Sequence, residues 1–176
     1  LAGAGSGKTR VLTYRVAKLI KDFNIRPSDI MALTFTNKAS REMKERLESL
    51  LRISSQGLWF GTFHGICRRI LKIHWKEAEL SERFTILDSQ DQLRLVKRII
   101  KTNNLDDKLY DAKSIQSFIN RKKDKGIRSN KISEKDDEIY VLVYKEYESI
   151  LKQTHSVDFA DLILKTYELL SGNENI

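Results

Sequence analysis

The chain has 176 residues, 40% of them hydrophobic, with 32 Lys and Arg against 24 Asp and Glu for a net charge of +8. That is enough apolar content for a real core and excludes a fibrous or membrane-spanning chain, since no run of about 18 apolar residues occurs. Its first residues do not form a charged-then-apolar signal segment, and its single cysteine, Cys67, excludes an internal disulfide and lacks a C-x-x-C partner, so a soluble cytoplasmic protein is expected.

The first element is a phosphate-binding loop. The stretch AGAGSGKT, Ala2 to Thr9, follows G-x-x-x-x-G-K-[ST] with Ala2 in the first position. Glycines at Gly3, Gly5 and Gly7 allow positive φ and let successive backbone N–H groups face a polyphosphate. Lys8 can then reach the β and γ phosphates of a bound polyphosphate while the Thr9 hydroxyl coordinates Mg²⁺. Val11, Leu12, Val16, Leu19 and Ile20 recur at helical spacing, so the loop opens a helix whose N-terminus favours anions. A buried strand ordinarily precedes such a loop. Only Leu1 stands there, and the chain reads as a fragment.

Pro27 lies in the connection that follows, and IMALTF (Ile30 to Phe35) reads as a short buried strand. Asn37 can cap the next helix, with Ala39, Met43, Leu47 and Leu50 as its apolar stripe. GLWFGTF (Gly57 to Phe63) alternates like a strand, and HGICRRILKIHW returns to helical spacing with Ile66, Ile70 and Ile73 inward. Repeated strand, loop and helix units predict an α/β fold with a parallel sheet.

From about Arg83 the pattern changes. DQLRLVKRIIK, SIQSFINRKK and EIYVLVYKEYESILK read as helices with almost no strand signal between them, so a helical unit interrupts the α/β core. Ser133 and Glu134 offer a start for the third of these. Asp158 and Asp161 bracket the start of a last helix, with Phe159, Leu162, Ile163 and Leu170 on its apolar side.

In open α/β sheets, ligands bind beyond the carboxyl ends of the strands. The segments there, Thr34 to Ala39 and Gly61 to Gly65, combine aromatics, hydroxyls and polar or basic groups, an inventory suited to single-stranded nucleic acid. Core packing is the plain alternative for Phe35 and Phe63, and a hydrogen-bonded structural role for His64. Charge is uneven too: 15 Lys and Arg face 8 Asp and Glu up to Glu82, against 17 and 16 beyond it. Between Lys113 and Lys131, seven cations (Lys113, Arg121, Lys122, Lys123, Lys125, Arg128, Lys131) face only Asp124. Such a block is either a phosphate-backbone footprint or a solvated helix face.

AGAGSGKTRVL, ALTFTNKASREMKERL, GTFHGICRRIL and VDFADLI, in this order, resemble the UvrD/Rep/PcrA family of superfamily 1 DNA helicases. The resemblance covers essentially the whole chain, and the pairing of TFTNKA with TFH is more specific than the P-loop. It implies an incomplete RecA-like P-loop core with an inserted all-helical subdomain: residues 1–82 as the first part of the ATP-binding domain, 83–153 as the insertion, and 154–176 as the return. It also implies ATP-driven 3′-to-5′ movement on single-stranded DNA, activity at single-strand/duplex junctions, and repair or replication proteins as partners.

By the same resemblance, Ala2, Gly3, Ala4, Gly5, Ser6, Gly7, Lys8, Thr9 and Arg10 match the nucleotide-binding segment. Phe35, Thr36, Asn37 and Lys38 match the first DNA-contacting motif; Thr62, Phe63 and His64 match the second. Asp158, Phe159, Asp161 and Leu162 match DFxDL, read as packing the return against the core. No apolar run ends in Asp-Glu, and in ILDSQ (Ile86 to Gln90) no Glu follows Asp88. The carboxylate that phosphoryl transfer needs beside Mg²⁺ is therefore missing, and the chain alone is expected to be inactive. Two readings stand beside this one: a motor fragment of a recombination nuclease-helicase subunit, and a non-catalytic DNA-binding P-loop module.

Overall fold

The structure is a computed structural model that describes residues 7–52 and 57–176. The α/β class read from the sequence is what it shows: short parallel strand pairs among helices. The chain divides into two compact units, one ending at Ile66 and the other spanning Cys67–Ile176.

In the first unit, helix α1 (Lys8–Lys21) begins at Gly7, whose φ of 73° is the left-handed conformation that glycine adopts without cost. Strand β1 (Met31–Thr34) runs parallel to β2 (Trp59–Thr62) in the register Met31↔Trp59 to Thr34↔Thr62. Between them, α2 (Asn37–Leu51) returns the chain, as a parallel pair requires. Val16, Ile30, Ala32, Met43, Leu47 and Leu58 form the core. Its stripe is narrower than the periodicity suggests, because Val11, Met31 and Leu50 are exposed. The cap of α2 is Thr36, one residue earlier than expected; its Oγ1 accepts from Ala39 N at 3.1 Å.

Helix α3 (Phe63–Ile73) follows β2 without a break and carries the chain into the second unit. There β3 (Thr85–Leu87) pairs in parallel with β4 (Ser156–Asp158), and α4 (Ser89–Thr102), α5 (Ala112–Asp124) and α6 (Glu138–Gln153) lie between them in sequence. Neither β3 nor β4 is expected from the residue pattern, since three residues cannot establish an alternation. Asp88 caps α4 by accepting from Gln90 N and Asp91 N, each at 2.8 Å. Asp137, and not Ser133, caps α6.

The three helices enclose a core of Val96, Ile99, Ile115, Phe118, Ile119, Val143, Tyr144 and Tyr147. Helix α7 (Phe159–Gly172) starts with a reciprocal capping box between Asp158 and Asp161. It buries Leu162, Leu164 and Leu169, while Phe159, Ile163 and Leu170, expected inside, are exposed together with Tyr167. Among the described residues, no helix is long and apolar enough to cross a membrane.

Candidate nucleotide and nucleic-acid site

Of the residues expected to bind nucleotide, Ala2, Gly3, Ala4, Gly5 and Ser6 lie outside the described residues, as does Leu1. What is described of the loop is its end. Gly7 precedes α1 in a left-handed conformation, and no acidic residue occupies the first turn of the helix. An exposed helix start with no carboxylate in its first turn suits an anion, because that turn leaves backbone N–H groups unpaired. Thr9 is half-buried at this start. Its carbonyl accepts from the buried Thr13 hydroxyl at 2.8 Å, which ties the first turn to the second. Arg10 is exposed, and its guanidinium lies 5.8 Å from the Tyr14 ring centre.

These features fit a nucleotide phosphate. For Mg²⁺, the Thr9 hydroxyl would supply one oxygen; among the described residues no cluster of three or more His, Cys, Asp or Glu could hold a metal.

The second group of candidate residues forms a compact arrangement. Because β1 and β2 end in register at Thr34↔Thr62, the segments that follow them emerge side by side. The Phe35 side chain is 92% exposed and that of Phe63 46% exposed, which rules out the core role for Phe35. Their ring centres are 6.3 Å apart with the planes tilted by 53°, within the range of aromatic interaction.

Each ring adjoins a threonine that opens a helix. Thr36 caps α2, and Thr62 Oγ1 accepts from Gly65 N at 3.2 Å in the first turn of α3. A β-carbon on Gly65 would stand 3.1 Å from that same Oγ1, so the absent side chain leaves room for the bond. Thr34 heads the TFTNKA motif but is not among the residues carried over as DNA-contacting, yet its hydroxyl joins the two segments, donating to Thr36 O at 3.1 Å and lying 3.5 Å from Gly61 O. Its place at the head of the Thr34 to Ala39 segment, as the last residue of β1, is the signal that points to it. Asn37 and Lys38 are exposed beyond Phe35, and His64 is half-buried.

Taken together, the described residues offer two exposed rings over two adjacent helix starts, with Lys38, Arg41 and Lys44 exposed along α2. Rings can stack on bases while N–H groups, hydroxyls and lysine meet phosphates.

The Lys113 to Lys131 block does not have one role. Lys123 is buried between Asp158 and Asp161 at 2.7 Å from each, and Lys122 pairs with Asp136 at 2.6 Å. Arg128 pairs with Asp161, Glu148 and Glu168. Lys113, Arg121, Lys125 and Lys131 remain exposed, and only these could meet an outside phosphate. Asp158 and Asp161 take their partners from the helical stretch itself; burial opposes the charge of Asp161, but Lys123 and Arg128 outweigh it and hold its pKa below the usual carboxylate range.

Comparison with known proteins shows the family of the chain. The family model of the UvrD/REP helicase N-terminal domain matches residues 1–176. Over 96% of its length the chain is 46% identical to DNA helicase II of Haemophilus influenzae, covering 24% of that protein. It is likewise 46% identical over its full length to DNA helicase II of Escherichia coli, covering 25%, and 43% identical over 96% to the ATP-dependent DNA helicase PcrA of Bacillus subtilis, covering 23%. The chain thus spans about a quarter of the length of these curated relatives.

Proposed function

Because the chain belongs to the UvrD/REP helicase N-terminal domain family, we propose that it is the ATP- and single-stranded-DNA-binding N-terminal part of an ATP-dependent DNA helicase. The observation that carries this reading is the parallel register of β1 and β2, which sets Phe35 and Phe63 side by side, exposed, at the ends of two strands. The names of the relatives, DNA helicase II and ATP-dependent DNA helicase PcrA, support the use of ATP and DNA. The whole protein moves 3′ to 5′ in the cytoplasm, acts at single-strand/duplex junctions, and works with repair or replication proteins.

In this reading residues 1–82 and 154–176 belong to a RecA-like ATP-binding domain, and 83–153 form a helical insertion. Ala2 to Gly7 cradle the phosphates, Lys8 neutralises the β and γ groups, Thr9 gives an oxygen to Mg²⁺, and Arg10 helps fix the phosphates. ATP with its Mg²⁺ supplies the phosphoryl-transfer chemistry. Phe35 and Phe63 stack on bases, while Thr36, Asn37, Lys38, Thr62 and His64 hold the strand's backbone. With no water-orienting carboxylate among its residues, the chain alone binds and orients but does not turn over.

The test is the affinity of the full-length protein for a labelled oligothymidylate. Phe35→Leu is expected to weaken binding by about 1–3 kcal/mol, the value of one base–aromatic stack, while the thermal midpoint stays unchanged. Unchanged affinity in a folded Phe35→Leu protein would overturn the assignment.

A further inference from the structure

The acidic pair of the DFADL segment is sealed on every side. Asp158 Oδ2 accepts from Lys123 Nζ at 2.7 Å, from the Tyr147 hydroxyl at 2.8 Å and from Gln92 Nε2 at 3.3 Å. Its other oxygen caps α7 by accepting from Asp161 N at 2.8 Å. Asp161 accepts from Lys123 and from Arg128 Nη1, each at 2.7 Å. Arg128 goes on to grip Glu168, two turns along α7, through two parallel bonds of 2.7 Å, and reaches Glu148 of α6 at 3.1 Å. The side chain of Lys123 has no exposure at all. Partners thus come from α4, α5, α6 and the segment after α5, and all converge on the start of α7.

Apolar packing does less here than the residue pattern suggests. Four large apolar side chains of α7, at Phe159, Ile163, Tyr167 and Leu170, are exposed, and Leu162, Leu164 and Leu169 are buried, so the ion cluster shares with three leucines the task of fixing where the helix sits. A buried ion cluster contributes little net stability, but removing one member strands the opposite charge and is severe. The backbone just before it is also the natural place for a bend: His155, between α6 and β4, already takes a φ of 48°.

We propose that the Lys123–Arg128–Asp158–Asp161 cluster is a joint that fastens α7 to α5 and α6, so that the helices between β3 and β4 and the helix after β4 open as one cooperative body. Any swing of the helical stretch carries α7 with it, and no hinge operates at His155. This does not depend on the activity proposed above.

Hydrogen exchange of the full chain, read by mass spectrometry, tests the joint. In the unaltered protein the slowest amides of α5 and α7 are expected to share one opening equilibrium. Lys123→Met should lower the protection of both together by at least about tenfold and leave α2 unchanged. The triple variant Lys123→Met/Asp158→Asn/Asp161→Asn, which strands no lysine–aspartate charge, should recover part of that loss. Independent opening of α7 and α5 in the unaltered protein would overturn the proposal, as would a Lys123→Met protein in which only α5 loosens. Should Lys123→Met fail to fold, the half-buried Arg128→Gln decides: joint loosening of α5 and α7 supports the proposal, and loosening confined to the turn around Glu168 overturns it.

Discussion

Phe35 and Phe63 approach within 6.3 Å, ring centre to ring centre, from the ends of two strands held in parallel, and both stay exposed to solvent. Two rings so placed would grip one strand jointly under the proposed function, so their contributions to DNA affinity should not add. In a double-mutant cycle on the full-length protein, Phe35→Leu and Phe63→Leu are expected to show a coupling of about 0.5–3 kcal/mol. Strict additivity, measured by anisotropy with the same oligonucleotide, would separate the two rings into unrelated sites.

The caps beneath these rings predict a different pattern. Thr36 and Thr62 each accept an N–H of the helix they open, so Thr36→Ala and Thr62→Ala should each lower folding stability by about 1 kcal/mol. Phe35→Leu, at an exposed position, should stay within about 0.5 kcal/mol of the parent. Urea unfolding distinguishes them.

ATP turnover separates the two groups of candidate residues. In the full-length protein Lys8→Ala should lose both basal and DNA-stimulated hydrolysis, whereas Phe35→Leu should keep the basal rate and lose most of the stimulation. An isolated chain of these 176 residues should show no DNA-stimulated turnover. A phosphate-release assay that detected turnover abolished by Lys8→Ala would contradict this.

Acid should find the joint at α7. The pKa of Asp161 is lowered in the folded state from its ordinary value of 3.8, because Lys123 and Arg128 outweigh the effect of burial. Above that value both states are ionised and the stabilisation is complete; as pH falls below it the unfolded chain takes up the proton first, and the stabilisation is lost toward the folded pKa. Thermal midpoints should therefore be insensitive to this residue above about pH 5 and fall below about pH 4. Asp161→Asn should flatten that acid limb, and an identical limb in the variant would remove Asp161 from its cause.

Only the exposed members of the basic block can respond to salt. Neutralising Lys113, Lys125 and Lys131 should make the salt slope of duplex binding shallower by about 0.9 for each phosphate no longer neutralised. An unchanged slope would make them a solvated face.

The order of the main elements was legible because each has local causes. The short run at β1 and the stripe of Met43 and Leu47 on α2 need no distant partner to be read. The role of Lys123 was not legible, since its burial depends on carboxylates 35 and 38 positions away. Within the run RKKDK it looks like any other surface lysine. The exposure of Phe35 lay beyond the pattern for a related reason: a residue one step past a strand can turn either way, and the cap at Thr36 decides it. The cap itself, Thr36 instead of Asn37, is a choice between two good capping residues that spacing alone does not make.

The register of β1 against β2 fixes one quantity that side chains do not control. Neighbouring strands lie about 4.8 Å apart whatever residues they carry, and Thr34 and Thr62 close that ladder at the same level. The two ring positions are therefore mounted on a ruler made of backbone. Under the proposed function, changes at Phe35, Lys38 or Phe63 would alter how firmly a nucleic-acid strand is held, but the spacing of the two strand ends would be preserved.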